Sequence, residues 1–185
     1  MIGEEKVTFN LPFELNHLYK DDRKRLRTGT IIFGHLYEDR WQTHIQRPLN
    51  NQEIKELEEE YGVLPHEYKE FLSITNGCYL FDLLRIAGKQ DGYKGMSREE
   101  QTFQPISLRN IEPYLGKKEL PTHLFVFADS MIKDRFYAFN QNGHVLEINE
   151  RNLKTAATYP SLEELLKDIY AQGKEMVLRK EYIEF

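Results

Sequence analysis

Residues Asn50 to Gly77, NNQEIKELEEEYGVLPHEYKEFLSITNG, constrain the fold more than any other stretch, because they encode two short amphipathic helices joined by a tight Gly–Pro connection. Asn50 stands where an N-cap belongs, Glu53 follows as its capping-box partner, and Ile54, Leu57 and Tyr61 form an apolar stripe. Gly62 supplies a stop. Pro65 suits the first position of the second helix, whose buried face is expected at Tyr68, Phe71, Leu72 and Thr75, before Asn76-Gly77 closes it.

Downstream, CYLFDLLRIAG (78–88) reads as a buried strand, or two with a bend at Asp82. Residues 88–105 form a polar, glycine-bearing loop, long for a compact domain. ISLRNIEPYL reads as a short strand and a helical turn stopped near Pro113, and LFVFA (124–128) as a strand. RFYAFNQNGHVLEI is a hairpin with Asn142-Gly143 in its turn. Ser161 and Glu164 form a second capping box ahead of Leu162, Leu165, Leu166, Ile169 and Tyr170, with Gly173 as the expected stop. The tail KEMVLRKEYIEF fits a strand or a helix equally.

The order Tyr61, Gly62, Leu64, Pro65, Tyr68, Phe71, Leu72, Asn76, Gly77 resembles the signature of the SUKH superfamily, named for the yeast cell-wall-assembly regulator. The resemblance continues through residues 124–148 and 158–169, so it covers roughly 50 to 170. CYLFDLLRIAG replaces a tryptophan-bearing segment and DSMIKDR replaces an Asp-Gly-rich turn. It implies an α+β fold, a mixed, mainly antiparallel sheet of five to seven strands packed by N-terminal and C-terminal helices. It also implies a non-enzymatic protein-binding module, most concretely an immunity protein that neutralises a cognate toxin, commonly a nuclease. An intracellular scaffold or regulatory module with no toxin partner, as among the yeast relatives, is the alternative.

A chain of 185 residues accommodates a SUKH-like domain over 50–185 with an extension over 1–49 packed on it. In that extension LPFELNHLY is weakly amphipathic, and GTIIFGHLYEDRWQTHI has the β-branched and aromatic content of one or two strands. The basic run Lys20, Arg23, Lys24, Arg25 and Arg27 is broken by Asp21 and Asp22 and accompanies no nucleic-acid motif, so it reads as a solvated loop or helix face and no nucleic-acid partner is expected. Trp41 reads as a core or interface anchor.

No apolar run reaches the length of a membrane span and the first residues lack a signal-peptide pattern, so a cytoplasmic protein with no membrane partner is expected. The single cysteine, Cys78, excludes an internal disulfide and reads as a small buried side chain. The net charge of −5 is concentrated: residues 51–77 hold seven Glu against Lys55 and Lys69, also −5. Such a face is either ordinary solvated helix surface or an acidic patch for a cationic partner.

None of the six histidines has metal-site spacing, and no phosphate loop, nucleophile elbow or dinucleotide fingerprint occurs, so no metal, cofactor or catalytic site is expected. Asp129, Asp134 and His144 could converge across the hairpin, and an enzyme on a small anionic substrate would use Arg135 and His144. The partner-binding residues expected are Glu59 and Glu60 on the acidic face and Tyr93 and Phe103 in the long loop.

Overall fold

The computed structural model describes residues 8–34, 42–111, 120–121 and 123–180. Trp41, the stop near Pro113 and the last five residues of the tail lie outside them.

The motif helices form where the caps direct. Helix α2 (Asn51–Tyr61) opens on the reciprocal Asn50–Glu53 box and ends at Gly62, whose φ of 84° favours glycine. Helix α3 (His66–Leu72) starts one residue later than expected, with Pro65 as N-cap at ψ 142°. Thr75 lies past its end but is buried, its hydroxyl accepting from Gln46 N–H at 2.9 Å and donating to the Gly77 carbonyl at 2.7 Å.

Among the described residues nine strands form one sheet in sequence order, each paired antiparallel with its neighbour: β1 (Arg23–Arg25), β2 (Ile31–Phe33), β3 (Thr43–Ile45), β4 (Cys78–Leu80), β5 (Leu84–Ile86), β6 (Phe125–Asp129), β7 (Arg135–Phe139), β8 (Val145–Asn149) and β9 (Thr155–Tyr159). The α+β class stands, and the strand count exceeds five to seven. The additions are the edges: β1 forms from part of the basic run, which an edge strand tolerates because its flanks meet water, and β9 from the weakly patterned TAATY. CYLFDLLRIAG divides into β4 and β5 around a turn with positive φ at Phe81 and Asp82. The hairpin forms as read, although its loop is wider than two residues, with Asn140 N–H bonded to the His144 carbonyl and Gly143 at φ 79°.

One sheet face carries the main core: Phe33, Ile45, Leu80, Leu84, Ile86, Phe127 and Phe139 pack with side chains from α1 (Leu11–Tyr19), α2, α3 and the C-terminal α6 (Leu162–Arg179). The stop expected at Gly173 is not used. α6 runs on to Arg179 because Gly173 is buried where a side chain would overlap the Phe81 ring, so the glycine answers to packing. A smaller cluster, Phe136, Ala138 and Ile148 with Leu124, Leu146 and Leu153, covers the opposite face over β6–β8.

The motif residues lock these parts together. Fully buried Tyr68 donates its hydroxyl to the Ala87 carbonyl at 2.7 Å. The Asn76 carboxamide accepts from Lys89 N–H at 2.6 Å and donates to the Lys89 carbonyl at 2.7 Å, like one rung of a ladder. A side chain at Gly88 would collide with Asn76.

Candidate partner-binding surface

The acidic stretch is largely compensated. Arg47 grips Glu53 through two bonds of 3.0 and 2.6 Å, and that guanidinium holds the Glu53 carboxyl down at about 2. Glu56 meets Lys89 at 3.3 Å, Glu58 meets Lys69 at 3.1 Å, Glu60 meets Arg109 at 2.7 Å and Glu70 meets His66 at 3.2 Å. Glu67 accepts the Leu162 N–H at 2.6 Å, tying α3 to the start of α6. Glu59 is exposed and has no partner among the described residues. Five cations, Arg47, Lys55, Lys69, Lys89 and Arg109, therefore share this surface with the seven glutamates, leaving a modest negative excess.

The long loop is partly ordered by a feature that was not singled out from the sequence. Ser97 and Glu100 form a reciprocal capping box that starts α4 (Arg98–Thr102). The two glutamates of that turn receive the basic run: Lys24 bonds Glu99 at 2.7 Å, and Arg27 bonds Glu100 at 3.2 and 3.1 Å. Arg27 lowers the proton affinity of the Glu100 carboxyl. The signal was present as opposite charges in KRLR and REE, about seventy residues apart, where sequence spacing alone gives no reason to pair them.

The loop lies over the sheet face opposite the main core. Register places Lys24, Ile32, His44, Tyr79, Arg85 and Asp129 in one row across β1–β6. His44 stacks on Tyr79 with centroids 5.4 Å apart, and Phe103 sets its ring edge-on to His44 at 5.2 Å. Arg85 pairs with Asp129 through bonds of 2.9 and 2.6 Å. Between floor and loop lies a cleft of about 340 Å³ lined by His44, Tyr79, Arg85, Tyr93, Gln101 and Gln104 among others. A second cleft, of about 370 Å³, is lined by Glu60, Tyr61, Lys89 and Arg109. Gln90 and Asn110 line both, so the two adjoin.

The four expected partner-binding residues thus separate. Glu60 and Tyr93 flank adjoining clefts, Tyr93 being half exposed with its hydroxyl accepting from Gln90 at 3.1 Å. Glu59 is exposed on α2. Phe103 is half buried, its ring on His44 and its carbonyl accepting from Gln46 at 2.8 Å, which makes it a support for the loop.

The residues considered for catalysis do not converge. Register sets Arg135 opposite Asn149 and Phe139 opposite Val145, so Arg135 and His144 sit at opposite ends of the hairpin, roughly 13 Å of strand apart. Arg135 bonds Glu147 at 3.2 Å, Asp129 is held by Arg85, and Asp134 pairs with Arg151. Cys78 is buried, which pushes its thiol pKa up. Among the described residues no group of three or more His, Cys, Asp and Glu side chains could hold a metal ion, and no helix is long and apolar enough to cross a membrane.

No curated protein and no solved structure matches this chain. The description of the SMI1 / KNR4 family (SUKH-1) matches residues 48–168, from just before the Asn50 cap to within α6, leaving α1 and β1–β3 ahead of it. With most of its length so matched, and with Tyr68, Asn76, Gly77 and the capped helices placed as described, the chain belongs to the SMI1 / KNR4 family (SUKH-1).

Proposed function

We propose that this protein is a non-enzymatic binding module, most concretely an immunity protein that neutralises a toxin of its own cell by occupying it. Family membership carries the reading, because a toxin-immunity or regulatory role is what the SUKH resemblance implies. The surface is compatible with it. Two adjoining clefts, bordered by Glu60 and Tyr93, offer concave ground next to an exposed helix with a residual negative excess. Docking of a cationic toxin face there would draw its affinity from a few buried anchors and its encounter rate from charge.

The test is kinetic. Replacing Glu59 and Glu60 by lysine removes an exposed ion pair whose contribution to stability is about 0–1 kcal/mol, so melting should barely move. Association with the cognate toxin at low salt should slow by roughly threefold to tenfold, less than a fully uncompensated acidic face would give. An unchanged association rate would exclude α2 as the docking face.

A further inference from the structure

The cleft beneath the long loop contains a buried donor with no acceptor among the described residues. Gln46 fixes the tautomer of His44: its Nε2 donates to the Phe103 carbonyl at 2.8 Å and lies 3.1 Å from His44 Nδ1, while its Oε1 accepts from the Thr30 hydroxyl at 2.6 Å. Nδ1 is therefore the acceptor, and the proton of the neutral ring is on Nε2. Only 3 % of His44 is exposed, it lines the cleft, and its Nε2 has no partner among the described residues. A buried N–H left without an acceptor is destabilising, so an acceptor that enters the cleft gains by bonding it.

The lining defines that acceptor further. Among the described residues that line the cleft there is no carboxylate, and the cation there, Arg85, is held in two bonds by Asp129, so among them neither a cation nor an anion finds a free counter-charge. Most of its polar side chains are carboxamides and phenols, Gln42, Gln90, Gln101, Gln104, Tyr79 and Tyr93 among them, beside apolar Pro105 and Ile106. Gln101 donates to the Met96 carbonyl at 3.1 Å and leaves its own oxygen facing no described donor. An uncharged group that both accepts and donates matches this set, and about 340 Å³ suits one side chain rather than a folded element.

We propose that this cleft takes a neutral carboxamide, the side chain of an asparagine or glutamine presented by the protein partner, with its carbonyl oxygen on His44 Nε2–H and its amide donating to Gln101. The inference rests on the binding-module reading for the source of that side chain. Tyr93 borders the entrance and Phe103 supports the floor, which gives the loop a role beyond exposure.

The test uses the full chain and small probes, so it needs no identified partner. Nitrogen-15 NMR would follow the His44 Nε2–H signal during titration with N-acetyl-glutamine-N-methylamide, with N-acetyl-leucine-N-methylamide, acetate and uridine as controls. The glutamine probe should shift that signal saturably and the controls should not. Gln101→Leu, on an exposed position of α4, should weaken the probe about tenfold, the loss expected for one hydrogen bond, and in His44→Phe, followed by titration calorimetry because the ring N–H is gone, saturable binding of the probe should be lost. No shift with the glutamine probe, an equal shift with the leucine probe, or preference for uridine would each overturn the carboxamide assignment. Capture of a protein partner from the native cell would still stand in those cases; if instead the probe binds and no protein is captured, the binding-module reading fails and the cleft remains.

Discussion

Asn76 bonds both main-chain groups of Lys89 with one side chain, next to Gly77 at φ 76° and against Gly88, where a methyl group would collide. The motif pair Asn-Gly is thus a device for joining the end of α3 to the strand region that follows β5. Asn76→Ala leaves a partly buried N–H and carbonyl unpaired, and about 1–3 kcal/mol for such a group predicts a drop in melting temperature of several degrees. Calorimetry showing a loss below about 0.5 kcal/mol would deny Asn76 that role. This residue was legible as a helix terminator from sequence, but its bond to Lys89 was not, because nothing local in sequence reports a contact thirteen residues on. Gly173 shows the opposite failure: a glycine in a helical pattern signals a stop, and only the Phe81 ring on a distant turn explains why the helix continues.

At the scale of elements, caps and periodicity carried most of the reading. α2, the core of α3, the β7–β8 hairpin and the start of α6 follow from Asn50–Glu53, Tyr68–Phe71–Leu72, Asn142-Gly143 and Ser161. The edge strands were less legible, because β1 and β9 have little apolar alternation and exist by pairing with β2 and β8. Both edges also resist further pairing, β1 through Arg-Lys-Arg and β9 through the bulge that leaves Ala156 unpaired. The loop over 88–107 was legible as a loop, but not its attachment to β1 through Lys24 and Arg27. Glu100→Ala removes the Arg27 contact and half of the α4 capping box. Amide exchange at Gln101 and Phe103 should accelerate about tenfold, for a local loss near 1 kcal/mol, while the sheet amides stay protected. Unchanged exchange at those two amides would show that the loop is held by other contacts.

For the molecule as a whole, the described segments before residue 48 belong to the same sheet and the same core as the family-matched region: His44 and Ile45 pair with Tyr79 and Cys78, and Leu11, Leu15 and Tyr19 pack among the residues of α2, α3 and α6. Folding and the cleft floor therefore share a pH dependence through His44, which burial pushes down to about 3. Between its unfolded value near 6.5 and about 3, the unfolded chain binds a proton that the folded chain refuses, so stability is complete above 6.5 and falls as pH drops, by at most about 1.4 kcal/mol per unit. Glu53, held at about 2, adds a further loss below about 4.5. Denaturant titrations of the native protein and His44→Phe should therefore diverge in slope between pH 6.5 and 5, with the variant flatter; parallel profiles would mean that His44 titrates in the folded state.

Neutralisation by occupancy differs from neutralisation by chemistry in its stoichiometry. Capturing the proposed toxin partner from the native cell and titrating its activity with this purified protein measures that difference directly. Toxin activity should fall linearly to zero at one molecule per toxin and return when the two are separated. Complete inhibition at a small fraction of that ratio, or toxin left permanently altered after separation, would contradict a protein that acts by binding alone.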